Sequence, residues 1–145
     1  MKIHVIGSPG VGKTTLLRLL KGEPFYETYY PTLTDVYYDM EMARIRYEVW
    51  DSSDKQCTNY AMADLVILMF DVTNPNSFHY VRNTYLQIKD NVPVLFMGNK
   101  RDLNTTQVYQ PWMQNLPASY MGWSLKYDFD PDYLRYKIVE TLDLW

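Results

Sequence analysis

The sequence predicts a three-layer α/β domain whose six-stranded sheet is mostly parallel, with one antiparallel edge strand. Apolar runs alternate with segments of helical periodicity along the chain, which is typical of helices packed on a largely parallel sheet. The two most apolar runs, residues 63–72 and 91–99, are nearly continuous, as expected of strands buried on both faces. The chain has 145 residues and neither a linker nor a repeat, so we expect a single domain over residues 1–145.

The first half of the chain contains three predicted strands and one predicted helix. Residues 2–6 form a β-prone run that ends in the glycine-rich stretch GSPGVGK, after which LLRLL begins a helical pattern. Residues 35–41 and 44–50 are β-prone segments joined by a very short link. This pattern predicts a hairpin, which supplies the antiparallel edge strand.

The second half continues the alternation of strands and helices. Apolar side chains at helical spacing predict a crossover helix within residues 74–90, between the two buried strands. The segment 105–117 should be irregular, because Pro111 breaks or restarts any helix there. Residues 118–123 predict the last strand, and residues 130–145 predict a closing helix with a proline just inside its start.

Composition and charge argue against several classes of function. A net charge of −3, from 14 basic and 17 acidic residues, gives no electrostatic case for binding nucleic acid or an anionic membrane. The single cysteine, Cys57, excludes an internal disulfide and, with two histidines, offers few zinc ligands. No apolar run approaches the roughly 18 residues of a membrane span.

Targeting signals are not evident at either end of the sequence. MKIHVIGSPG reaches its glycines too early for the core of a signal peptide. Lys2 excludes N-myristoylation, and TLDLW contains no cysteine for prenylation. We therefore expect a cytoplasmic monomer without an encoded lipid anchor, which associates with membranes only through partners.

A phosphate-binding loop is the most specific motif. Residues 7–14, GSPGVGKT, satisfy the pattern G-x-x-x-x-G-K-[ST] between a predicted strand and a predicted helix. The glycines allow backbone N–H groups to point into one concavity, Lys13 reaches the terminal phosphates, and the Thr14 hydroxyl binds Mg²⁺. The alternative is a chance glycine-rich turn, which the flanking strand and helix argue against. The motif predicts a P-loop NTPase domain.

A second motif indicates which base is bound. NKRD, residues 99–102, follows a buried strand. A carboxylate at the rim of a base pocket, here that of Asp102, accepts hydrogen bonds from N1 and the exocyclic amine of guanine, whereas adenine presents no such pair. NKRD alone is also a good solvated turn. Together with the phosphate loop and with SLK at residues 124–126, it predicts a guanine site with Asn99 beside the carboxylate.

The chain resembles a small GTPase of the Ras superfamily, with most local similarity to the Rab branch. The motifs that carry the resemblance are GSPGVGKT, YYPT, WDSSD, DVTNPNSF, GNKRD and SLK. The resemblance implies a molecular switch that binds GTP or GDP with Mg²⁺ and meets protein effectors or regulators through its switch I face. The implied nucleotide contacts are Gly10, Val11, Gly12, Lys13, Thr14, Thr15, Phe25, Tyr29, Thr32, Asn99, Lys100, Asp102, Ser124, Leu125 and Lys126.

The resemblance also assigns finer roles. Thr14 and Thr32 would bind Mg²⁺ directly, and Asp51 would bind it through water. Phe25 would flank guanine and Tyr29 would cover the phosphates, although both aromatics also fit ordinary core or surface positions. The residues implied in hydrolysis are Lys13, Thr32 and Gln56.

The switch II motif departs from the family pattern. Asp51 keeps the place of the Mg²⁺-linked aspartate, but Asp54 stands where the family has glycine and Lys55 where it has the water-orienting glutamine. A carboxylate beside the γ-phosphate is repulsive. Gln56 recovers the catalytic role only if the loop slips by one residue, and the stretch before the next strand is too short for the usual switch II helix. We expect slow or partner-dependent hydrolysis.

Two other functions remain open at this point. A P-loop nucleoside or nucleotide kinase would share the phosphate loop, but NKRD, SLK and the lack of an arginine-rich lid argue against it. A noncatalytic interaction module, held in one nucleotide state, would engage the regulators or effectors of true GTPases. Five tyrosines between residues 26 and 38 suit such an interface, whereas nine further tyrosines elsewhere favour a general compositional bias.

Overall fold

The computed structural model describes residues 1–25, 36–42, 45–51, 63–100, 102, 112, 115–116 and 118–145. Of residues 36–42 and 45–51 it describes the backbone alone. The elements, in chain order, are β1 (Lys2–Gly7), α1 (Lys13–Leu20), β2 (Val36–Met42), β3 (Ile45–Asp51), β4 (Leu65–Asp71), α2 (Pro75–Ile88), β5 (Val94–Asn99), β6 (Ser119–Gly122) and α3 (Pro131–Leu144).

The strands form one six-stranded sheet in the order β2-β3-β1-β4-β5-β6. β2 pairs antiparallel with β3 at one edge, and every other neighbouring pair is parallel. The predicted fold class is therefore confirmed, including the antiparallel edge strand. Because β1 and β3 to β6 run in one direction, their carboxyl ends meet at a single edge of the sheet.

The predicted helix starts are also confirmed. The Asn74 side chain accepts a hydrogen bond from the Asn76 N–H at 3.0 Å, and Pro75 is the first residue of α2. Asp130 caps α3 in the same way, with Pro131 as its first residue. A side-chain oxygen at the cap satisfies an otherwise unpaired N–H, and proline loses no helical hydrogen bond there.

Some boundaries differ from the sequence prediction. β5 begins at Val94 rather than residue 91, because the Asn91 N–H donates to the Ile88 carbonyl at 2.9 Å and closes a turn after α2. Most of the segment predicted to be irregular, 105–117, lies outside the described residues.

Two apolar cores make the domain three-layered. On one face of the sheet, α1 and α3 bury residues such as Leu16, Leu17 and Ile138 against strand side chains. On the other face, α2 buries Phe78 and Val81. Full burial of one such side chain contributes about 1.5–3 kcal/mol to the free energy of unfolding. The two cores therefore stabilise the sheet and the position of its carboxyl edge. Among the helices in the described part of the chain, none has both the length and the apolar character needed to cross a bilayer.

Candidate functional site

The loop between β1 and α1 lies at the carboxyl edge of the sheet. Gly10 and Gly12 have φ angles of 81° and 110°, a region that favours glycine. A Cβ atom at Gly12 would lie 2.5 Å from Nδ2 of Asn99, so this position also requires glycine for space. The N-cap residue of α1 is Gly12, which has no side chain to cap the first turn, and a helix N-terminus at this loop favours anions.

The Lys13 side chain lies against the backbone of this loop. Its side chain is buried, and Nζ donates hydrogen bonds to the carbonyls of Gly7 at 2.6 Å and Ser8 at 3.3 Å. Thr14 and Thr15 follow in the first turn of α1 and are half-buried. The six predicted residues from Gly10 to Thr15 therefore lie together, with a cation held within the glycine loop.

Asn99 joins two of the predicted motifs. It is the last residue of β5 and is only 5% exposed. Its Nδ2 donates to the Val11 carbonyl at 2.9 Å, and its Oδ1 accepts from the Leu125 N–H at 3.0 Å. One side-chain amide thus connects the phosphate loop to the SLK turn. Leu125 is buried and also packs close to Gly12.

Lys100 makes a second connection to the phosphate loop. Its φ angle is 67°, an uncommon value for a residue other than glycine. Its Nζ donates to the Gly10 carbonyl at 3.0 Å and lies 3.0 Å from Oδ2 of Asp71. The ammonium group is therefore shared between the loop and the end of β4.

The SLK turn closes this end of the site. The Ser124 N–H donates to the Asp128 carboxylate at 3.1 Å, and the Asp128 N–H donates to the Ser124 carbonyl at 2.7 Å. The Ser124 hydroxyl oxygen is fully buried and has no hydrogen-bond partner among the described residues, which is unusual for a buried polar atom. Lys126 is exposed and places Nζ 5.3 Å from the centre of the Tyr127 ring.

For the other predicted site residues the structure gives only burial or backbone position, or nothing. Asp102 is exposed, and Phe25 is half-buried after the end of α1. Asp51 ends β3, and its backbone is in register with Val5 of β1, which puts it at the same edge as the phosphate loop. The predictions for Tyr29, Thr32, Asp54, Lys55 and Gln56 lie outside the described residues.

Three polar residues that support the site were given no individual role from the sequence, although Asp71 and Thr73 lie in the DVTNPNSF motif. Asp71 pairs with Lys100, Thr73 bonds the Asp71 carboxylate, and Asp128 fixes the SLK turn. A signal was available for Asp71, because it ends a buried strand beside the strand that leads into NKRD. Nothing local in the sequence singles out Asp128.

The chain is similar in sequence to known proteins. A model of the Ras family matches residues 2–127. The mouse Ras-related protein Rab-7b is 28% identical over 151 aligned residues, which cover 90% of this chain and 76% of that protein. The canine Ras-related protein Rab-13 is 31% identical over 123 residues, covering 75% of this chain and 61% of that protein. Human Rab-like protein 6 is 28% identical over 145 residues, and the matched region spans 20% of that protein.

Proposed function

Because the chain belongs to the Ras family of small GTPases, we propose that it is a Rab-like molecular switch that binds GTP and GDP with Mg²⁺ and hydrolyses GTP slowly or with a partner's help. The observation that carries the proposal is the double role of Asn99. Its amide holds the Val11 carbonyl and the Leu125 N–H at once. The phosphate loop and the SLK turn are thereby tied to each other, which supports the proposal of a single nucleotide site that includes both.

Guanine recognition is proposed for the rim formed by Asp102 and the SLK turn. Asp102 is exposed, and we propose that its carboxylate binds the base. The buried Ser124 hydroxyl has no partner within the described structure, and such a group gains stability once a polar partner arrives. We propose that the Asp102 carboxylate becomes that partner when guanine binds.

Phosphate binding is proposed for the glycine loop and Lys13. The buried ammonium is held by backbone carbonyls of the loop, and the adjacent helix N-terminus favours negative charge. Anionic phosphates would therefore meet both a fixed cation and aligned N–H groups. Lys13 also stabilises the charge that develops during hydrolysis.

Mg²⁺ fits the oxygen-rich residues at this edge. Thr14 offers a hydroxyl in the first turn of α1, and Asp51 ends the neighbouring part of the sheet. Hydroxyl and carboxylate oxygens suit this hard cation, which usually takes its remaining ligands from phosphates and water. When bound, Mg²⁺ supplies positive charge to the β- and γ-phosphates. We propose Thr32 as a second protein hydroxyl ligand.

We propose that GTP hydrolysis is slow because of residues 54 and 55. Asp54 places a negative charge where the family senses the γ-phosphate, and Lys55 replaces the glutamine that orients water. The same substitutions favour a second candidate function, a hydrolysis-deficient module or decoy for the regulators and effectors of other GTPases. In both cases we propose that partners bind the tyrosine-rich switch I face and that the protein is a cytoplasmic, single-domain monomer.

The experiment that tests the proposed function identifies the nucleotide that purifies with the protein. The protein is denatured, the released nucleotide is separated by chromatography, and the emptied protein is titrated with fluorescent GDP and ADP, each with Mg²⁺ and with EDTA. We expect GDP or GTP to be released, and GDP to bind far more tightly than ADP in a Mg²⁺-dependent manner. Equal affinity for ADP and GDP would exclude the guanine assignment. Retained GTP after prolonged incubation would favour the hydrolysis-deficient alternative.

A further inference from the structure

A carboxylate of the DVTNPNSF motif, which is not one of the implied nucleotide contacts, contacts the site through Lys100. Asp71 is the last residue of β4, and its side chain is 12% exposed. Its Oδ2 lies 3.0 Å from Nζ of Lys100. Its Oδ1 accepts hydrogen bonds from the Thr73 N–H at 2.8 Å and from the Thr73 hydroxyl at 2.6 Å. Both oxygens of the carboxylate are therefore engaged, and its orientation is fixed.

The backbone of Asp71 is held as firmly as its side chain. The Asp71 N–H donates to the Ser77 hydroxyl at 2.9 Å, and the Val72 N–H donates to the Asn99 carbonyl at 3.1 Å. In the sheet, Asp71 is in register with Asn99. The carboxylate thus belongs to a rigid corner, which the start of α2 and the end of β5 share.

Lys100 transmits this rigidity to the phosphate loop. Its Nζ donates to the Gly10 carbonyl, 90 residues away in sequence, while the Asp71 carboxylate holds the same ammonium. A lysine side chain is flexible, and one hydrogen bond to a carbonyl would leave it several rotamers. A charge-assisted contact to a fixed carboxylate is stronger than a neutral one. The pair therefore selects the lysine rotamer that supports Gly10.

We infer that Asp71 is a positioning residue for nucleotide retention, which acts through Lys100 to hold the phosphate loop in its binding-competent arrangement. This inference rests on the proposed function. Asp71 is not among the residues proposed to contact the nucleotide. Its effect is expected on the rate at which bound guanine nucleotide leaves, because a loosened loop opens more often.

The test measures dissociation of fluorescent GDP from the complete protein in excess unlabelled GDP. Asp71→Asn preserves size and an acceptor for Thr73 but removes the charge, so dissociation should be about tenfold faster. Thr73→Val removes the orienting hydroxyl and should act in the same direction but less strongly. The control Asp90→Asn makes the same change of charge at an exposed position after α2, and the rate should remain that of the unmodified protein.

A double-mutant cycle distinguishes positioning from a general structural effect. If Asp71 acts through Lys100, Asp71→Asn should add little to the dissociation rate of Lys100→Met. The salt dependence of the rate gives a second readout, which does not depend on Lys100→Met. Added KCl should accelerate dissociation from the unmodified protein more than from Asp71→Asn, since the partly exposed ion pair is screened.

Three kinds of result overturn the inference: no effect of Asp71→Asn, an effect that does not depend on the ion pair, and a failure to bind GDP at all. An Asp71→Asn protein that releases GDP at the unmodified rate shows that the ion pair has no role in retention. Equal acceleration with and without Lys100, or an unchanged salt dependence, shows a merely structural effect. Failure of the unmodified protein to bind GDP overturns the proposed function and this inference with it, whereas the first two results leave the proposed function intact.

Discussion

Asn99 is the residue on which the candidate site depends most, because its side chain serves two partners in a buried position. Asn99→Ala removes the donor to Val11 and the acceptor for Leu125. An unsatisfied buried polar group costs about 1–3 kcal/mol. We expect fluorescent GDP to dissociate at least about tenfold faster from this variant, as measured in stopped flow.

Two comparisons sharpen the Asn99 prediction. Asn99→Asp keeps an acceptor for the Leu125 N–H but places a carboxylate against the Val11 carbonyl, so it should also accelerate dissociation. Asn91→Ala changes an exposed asparagine after α2 and should leave the rate unchanged. Unaltered GDP release from Asn99→Ala would mean that the two motifs are held together by other contacts.

The substitutions in switch II make a separate residue-level prediction. If Asp54 and Lys55 occupy the sensor and water-orienting places, the double change Asp54→Gly with Lys55→Gln should raise single-turnover hydrolysis of bound GTP. Binding is measured separately, so that affinity is not mistaken for rate. Fast hydrolysis by the unmodified protein, abolished by Gln56→Leu, would instead assign the catalytic role to Gln56.

At the scale of elements, replacement of Asp130 is expected to lower stability, whereas replacement of Asp128 is expected to accelerate GDP release. Asp130 caps α3 through the N–H groups of Asp132 and Tyr133, so Asp130→Ala should lower the free energy of unfolding by about 1 kcal/mol with little change in GDP release. Asp128 binds the Ser124 N–H of the SLK turn, so, if this turn binds the base as proposed, Asp128→Ala should accelerate GDP release by about fivefold. Chemical denaturation and GDP dissociation, measured on both variants, check this separation. Equal effects on GDP release would contradict it.

The elements were largely predictable from the sequence, and the contacts between them were not. Nearly continuous apolar runs indicated buried parallel strands, apolar spacing indicated the helix within residues 74–90, and Pro131 indicated the start of the closing helix, because these signals are local. The bond from Asn99 to Val11 joins residues 88 positions apart, and that from Lys100 to Gly10 joins residues 90 positions apart. Such bonds depend on strand order, which no local pattern specifies.

At the scale of the whole molecule, the two cores keep the carboxyl edge of the sheet in place. Phe78 is fully buried, with its ring 5.1 Å from that of Phe70 and 5.8 Å from that of Trp112 between centroids. Phe78→Ala should lower the free energy of unfolding by about 3–5 kcal/mol in urea denaturation with saturating GDP. Leu86→Ala, at a position on the same helix that is 58% exposed, should cost less than about 1 kcal/mol. Similar losses from both variants would contradict the assigned core.

We propose that the protein binds guanine nucleotides in preference to adenine nucleotides. Replacement of Asp102 tests this proposal most directly. The affinities of the unmodified protein and of Asp102→Asn are measured for GDP, ADP and xanthosine diphosphate, with Asp143→Asn, exposed on α3, as the control. Loss of charged contacts to guanine should cost about 2–4 kcal/mol. Asp102→Asn should therefore bind GDP at least about 30-fold more weakly and prefer the xanthine nucleotide, while the control behaves like the unmodified protein. An unmodified protein that binds ADP as tightly as GDP, or an Asp102→Asn variant with an unchanged order of preference, would contradict guanine recognition at this site.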